Sequence, residues 1–145
     1  MPLHLIKLCV GIGSVEELEE HVAARLDAAR LQGRPAEQAH VTRMVPKRVD
    51  ELLDGGSLYW VIKGQIQVRQ PLVAVTPFKD AEGVGRCRLV LEPTFVRTAR
   101  QPRRPFQGWR YLTPDDVPRD IGTGDAAEGD LPVDMQRELI ELGLF

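Results

Sequence analysis

The sequence has little from which to build a redox or metal centre. It holds two cysteines, Cys9 and Cys87, and three histidines, His4, His21 and His40. The cysteines share no C-x-x-C spacing and each lies in a strand-like apolar run, so two buried thiols are expected. No histidine joins an acidic cluster at helical i, i+4 distance in an apolar setting, so neither a metal nor another cofactor is expected. Long apolar runs are also missing. Lys7 and then Glu16, Glu17, Glu19 and Glu20 interrupt the amino-terminal segment, and no secretory leader is expected. No window reaches the roughly 20 apolar residues of a membrane span, so no membrane partner is expected and a cytoplasmic location is the default. Walker and G-x-S-x-G motifs are absent. Gly11-Ile12-Gly13 precedes a helical pattern but lacks the third glycine of the dinucleotide fingerprint, and Glu17 would place a carboxylate where a pyrophosphate must lie. Nucleophilic catalysis finds no support in these residues, and the chain reads as a binding domain rather than an enzyme.

What is present suits one soluble α+β domain. The 145 residues are 43% hydrophobic, enough to bury a single core. The net charge of -2 hides a division. Residues 113–145 hold nine acids against Arg119 and Arg137, a balance of -7, whereas residues 1–112 hold 17 bases against 12 acids, a balance of +5. A basic body of this kind suits an anionic partner, with the tail as shield or solubiliser. The expected organisation is a core domain over residues 1–118, then an acidic linker and carboxy-terminal helix over residues 119–145, packed on or near the core.

The pattern of elements is legible in chain order. Residues 3–10 (LHLIKLCV) are apolar on both alternating faces apart from His4 and Lys7, as in a strand covered on both sides. Ser14 and Glu17 form a capping box, and Val15, Leu18, Val22, Leu26 and Ala29 recur at helical spacing up to a stop at Gly33. Residues 39–45 read as a short strand. Pro46 then suits the first position of a second helix running to Gly55-Gly56. Residues 58–69 read as one strand, with Leu58, Trp60, Ile62, Ile66 and Val68 on one face and Gly64 marking a bend. Pro71 starts a new strand or an edge, a turn covers residues 79–83, and residues 85–91 return with Cys87, Leu89 and Leu91 inward. Thr113-Pro114-Asp115-Asp116 is a capped helical turn. A mobile linker is expected over residues 119–130, followed by a last helix over residues 130–142. The fold class expected is α+β, a small curved antiparallel sheet or barrel flanked by helices.

Two basic segments carry the functional signal. Arg43, Lys47 and Arg48 fall before or within the first turn of the expected second helix, where a bound anion would relieve their opposition to the helix dipole. Residues 96–112 (VRTARQPRRPFQGWRYL) contain Arg97, Arg100, Arg103, Arg104 and Arg110 with Phe106, Trp109 and Tyr111 and no carboxylate. Guanidinium groups grip phosphates in bidentate fashion and exposed aromatics stack on unpaired bases. Alternation sends Trp109 and Tyr111 to one face, so residues 107–112 are expected as a core-anchored closing strand and residues 100–105 as an exposed loop.

The segments HLIKLCVG, HVTRMVPKR, ELLDGGSLYWVIKG, LVLEP and RPFQGWRYL together resemble a bacterial family designated domain of unknown function 1489. That resemblance implies no activity and no catalytic residues. A second, looser resemblance is to the PUA-like barrels, including the ASCH and EVE domains, which bind RNA or modified bases. It is carried by a Gly-Gly turn leading into a strand with Lys63 and Arg69, and it departs from the ASCH pattern at Gln65, Ile66 and Gln67. It implies a PUA-like barrel and adds Lys63 and Arg69 to the candidate contacts. The expected partner is RNA or another single strand, met by Arg43, Lys47, Arg48, Lys63, Arg69 and the arginines of residues 97–110 on one face. The alternatives are a small enzyme acting on a nucleoside or other anionic small molecule, with Lys63 beside a carboxylate such as Glu92, and a protein-interaction domain using the acidic tail.

Overall fold

A computed structural model describes residues 2–123. Strand β1 (His4–Leu8) lies between β3 (Ser57–Ile62), to which it runs parallel, and β7 (Trp109–Leu112), to which it runs antiparallel. All six residues of β3 are buried, as in a strand covered on both faces. Helix α1 (Val15–Leu31) packs one face of the sheet with Val15, Leu18, Val22 and Leu26 against Leu5, Leu58, Trp60 and Leu89. Its start obeys a local rule. Ser14 Oγ accepts from the Glu17 N–H at 3.1 Å, while the Glu17 carboxylate reaches back to the N–H of Gly13 rather than that of Ser14. The opposite face carries a smaller apolar cluster of Ile6, Tyr59, Val61, Ile66 and Leu112.

The expected strand over residues 58–69 is two strands. Lys63 and Gly64, at φ +50° and +76°, form a two-residue turn that joins β3 to β4 (Gln65–Lys79). Each side of the turn is buried on both faces, so the single alternation read across it does not hold: Trp60 and Val68 face α1 whereas Ile66 faces away. Pro71 interrupts nothing, because β4 changes partners near it. Before Pro71 the strand pairs with β3 and with β6 (Val96–Pro102); beyond it the partner is β5 (Gly85–Leu91), whose other edge holds β2 (Gln38–Thr42). Strand β8 (Asp120–Thr123) adds to β6, so a strand occupies the start of the segment read as linker. The expected helix over residues 130–142 lies outside the described residues.

Two further expectations are corrected. The second helix, α2 (Val49–Leu52), is a single turn that starts after Arg48, so Pro46 lies outside it and the first turn carries Asp50 and Glu51. Gly56 follows because nothing larger fits: a β-carbon there would stand 2.2 Å from the carbonyl oxygen of Leu3 and 2.3 Å from that of Leu52. The sheet also does not close into a barrel. Among the described residues no ladder joins β2 to β7 at the two ends of the strand order β2-β5-β4-β3-β1-β7. Side chains bridge them instead. Trp109 Nε1 donates to the carbonyl of Met44 at 2.8 Å, and the N–H groups of Lys47 and Arg48 both donate to Tyr111 Oη. The fold is α+β, an open and strongly curved sheet that is antiparallel except at β1 and β3.

Candidate functional site

The ten basic residues singled out in the sequence do not share one face. Arg69 and Arg97 show why: they occupy alternate positions in the β4–β6 ladder, where Arg69 pairs with Val96 and Arg97 with Val68, so their side chains leave opposite faces of the sheet. Arg97 reaches α1 and bonds Glu16 at 3.0 Å and Glu19 at 3.1 Å. The carboxyl of Glu16 is held below the usual range by its own backbone N–H and, further, by Arg97. Arg69 forks onto Asp120 of β8 at 2.9 and 2.7 Å and also donates to Ser57 Oγ at 2.8 Å. These two arginines tie elements together.

The Arg43, Lys47 and Arg48 group lies beside Tyr111, which is level with Leu5 and, through it, with Leu58. Lys63 stands at the other end of β3, five residues on, or about 16 Å along the strand. The backbone N–H groups of Lys47 and Arg48 that were expected to meet an anion are taken by Tyr111 Oη. Arg48 itself pairs with Glu51 through two nitrogens and lies 5.7 Å from the centre of the Tyr111 ring. Arg110 stacks over Phe106 at 5.6 Å on the face away from α1.

One group of cations is brought together. Arg103 donates its backbone N–H to the carbonyl of Gly64 at 2.8 Å, which clamps the segment following β6 to the β3–β4 turn. Lys63, Arg100, Arg103 and Arg104 therefore gather at one edge, although they are up to 41 positions apart in sequence. The side chain of Lys63 lies over the entry to α1, since a β-carbon on Gly13 would come 3.3 Å from Lys63 Cε. Glu17 is a close neighbour there but is engaged by the Gly13 N–H. Arg100 belongs to β6 rather than to a loop; burial lowers its pKa, and Glu16 opposes that shift. Arg103 is oriented by Gln101 at 2.6 Å and by the Asp116 carbonyl at 3.3 Å, with its Nε buried and unbonded. Arg104 is exposed. Among the described residues, none of these four forms a salt bridge to a carboxylate, whereas Arg30, Arg48, Arg69, Arg86, Arg88 and Arg97 all do.

The aromatic residues of this segment are scaffold. Trp109 is 5% exposed and stacks edge-on with Tyr111, and Phe106 packs against the smaller cluster. The acid–base pair weighed for an enzyme is not assembled, because Glu92 bonds Pro71 while Lys63 adjoins Gln65 at the far end of that ladder. Beneath Arg69 the sequence reading missed a buried polar group. His4 Nδ1 accepts the Ser57 N–H at 3.0 Å and its ring meets Tyr59 edge-on at 5.2 Å. Burial, then Arg69, lowers the His4 pKa, and burial pushes Tyr59 up to about 12, so both are neutral at pH 7. A histidine as one of two polar residues in a doubly buried strand was the available signal. No metal-binding cluster of three or more His, Cys, Asp or Glu occurs among the described residues, and none of their helices is long and apolar enough to cross a membrane.

No curated protein and no solved structure matches the chain, so the PUA-like resemblance gains no support. A family model does match, over residues 5–145, which takes in β1 apart from His4, the clamped basic edge and everything between. The chain therefore belongs to DUF1489, a family described as protein of unknown function.

Proposed function

We propose that this domain binds RNA or another single-stranded nucleic acid through the edge formed by the Lys63–Gly64 turn and the strand end carrying Arg100, Arg103 and Arg104. The observation that carries this reading is the Arg103-to-Gly64 backbone bond, which holds together cations from two distant segments that, among the described residues, form no salt bridge to a carboxylate. Phosphate oxygens supply the missing partners, and each phosphate met releases condensed counterions. Because Trp109, Tyr111 and Phe106 are occupied within the fold, the edge offers charge rather than stacking. It follows that binding is weakly selective for base sequence and steeply dependent on salt.

The turn supplies a second support. A lysine at φ +50° holds a conformation that costs an L-residue roughly 1 kcal/mol and that asparagine or glycine adopts more readily. Strain of this kind persists where a side chain has another role. Arg104 is the cleanest probe, since it is exposed and makes no hydrogen bond among the described residues, whereas Arg103 also orders its loop. Titration of a mixed-sequence single-stranded RNA at low salt should show binding that weakens several-fold in Arg104→Ala. Absence of binding by the unaltered protein at low salt would rule the reading out.

A further inference from the structure

The face of the sheet that packs against α1 holds a second, separate set of unpaired cationic and polar groups. Lys7 is the one charged residue of β1, and its side chain leaves on the same face as Leu5 and Cys9. In register with it stand Trp60 of β3 and Trp109 of β7, so the lysine rises between two indoles. From across the curved sheet, His40 of β2 brings its ring edge-on to Trp60, with centroids 5.5 Å apart and planes at 83°. The surrounding polar atoms are all satisfied. Trp60 Nε1 donates to Gln70 at 2.8 Å, Gln70 exchanges two hydrogen bonds with Gln38, Trp109 Nε1 donates to Met44, and Tyr111 Oη accepts from Lys47 and Arg48. Lys7 and the His40 ring nitrogens are the exceptions: among the described residues neither makes a hydrogen bond or an ion pair, although both side chains are half-buried.

We infer that this concave face is a binding site for a small molecule bearing an oxyanion, carboxylate or phosphate, with Lys7 Nζ meeting the acid group and the neutral His40 ring donating to it. An unpaired ammonium flanked by indoles in a partly dry setting is costly unless something of opposite charge meets it. Arg25 of α1 adds to the positive field felt by His40, and Glu17, an acid whose charge reaches Cys9, accepts from the Gly13 N–H. Burial lowers the Lys7 pKa and, followed by Lys7 and Arg25, brings His40 to about 4, so the imidazole carries a single N–H at pH 7 and offers it as a donor. The site stands on groups other than those of the basic edge, and the two can fail independently.

Trp60 and Trp109 are the two tryptophans of the chain, so the whole indole emission reports on this site. Inorganic phosphate, acetate and a nucleoside 5′-monophosphate, each titrated with excitation at the red edge of the indole band, distinguish phosphate from carboxylate and a bare anion from one carrying a larger body. A saturable change is expected with at least one of the three. Its midpoint should rise tenfold or more in Lys7→Gln, recover in Lys7→Arg, and stay put in Arg104→Ala. Thermal unfolding of Lys7→Gln confirms that the variant is folded, and His40→Gln, which should raise the midpoint several-fold, provides a second probe. No saturable response to any of the three anions, or an unchanged midpoint in folded Lys7→Gln and in His40→Gln, would overturn the assignment.

Discussion

Lys63 is where local physics and the proposed role pull in opposite directions. Its φ of +50° suits a two-residue hairpin turn but not a lysine, and Asn-Gly is the pair such turns favour. Lys63→Asn should therefore raise stability by ~0.5–1 kcal/mol in denaturant unfolding while weakening nucleic-acid binding. A stability gain with unchanged affinity would mean that the lysine contributes nothing to binding. His40 gives a prediction of pH dependence. Its pKa is lowered from 6.5 to about 4 in the folded chain, so between those values the unfolded chain binds the extra proton. Its contribution is fully present above about pH 6.5 and declines as pH falls toward 4. His4, also lowered by burial, acts in the same direction. Discounting for its partial exposure, His40 should account for roughly 1–2 kcal/mol lost between pH 7 and 5. In His40→Gln the decline over that interval should shrink by this amount, as read from urea midpoints at each pH.

At the scale of elements, the joints matter more than the elements themselves. Gln70 is fully buried and joins three segments, accepting from Trp60 and Gln38 and donating to Gln38 and the Glu92 carbonyl. Gln70→Leu would strand an indole N–H and an amide, and should cost ~2–4 kcal/mol in chemical unfolding. Ser14→Ala removes only the α1 cap and should cost about 1 kcal/mol. These joints also mark how far the sequence could be read. Helix α1, with its cap and all five buried positions, is a local pattern and was legible residue by residue, as were Cys87, Leu89 and Leu91 on β5 and the core-facing Trp109. The β3–β4 turn was not, because Lys63 is a poor marker for a left-handed turn and both faces of the hairpin are apolar, which erases the change of phase. At the α2 boundary the N–H groups of Lys47 and Arg48, just before the helix, are both taken by Tyr111, 64 and 63 positions away. No local rule contains that contact.

For the whole molecule, the net charge of -2 is a poor guide to its surface. Among the described residues, six arginines are paired with acids: Arg69 fastens β4 to β8 and Arg97 fastens β6 to α1, the pairs of Arg30 and Arg48 are local, and Lys63, Arg100, Arg103 and Arg104 are left without such a pair at one clamped edge. Which cations were committed could not be read from sequence, since Arg97 and Arg100 look alike until Glu16 and Glu19 are placed beside the first. In the proposed function, Lys63, Arg100 and Arg104 meet phosphates. The most direct test is the slope of log affinity against log salt for a mixed single-stranded RNA, measured for the unaltered protein, for the triple variant Lys63→Asn, Arg100→Gln, Arg104→Ala, and for Arg48→Gln at the opposite end of β3 as control. Each single-strand phosphate contact contributes about 0.7 to that slope, so the triple variant should be shallower by roughly 2 and the control unchanged. An equal slope in all three proteins would contradict the account.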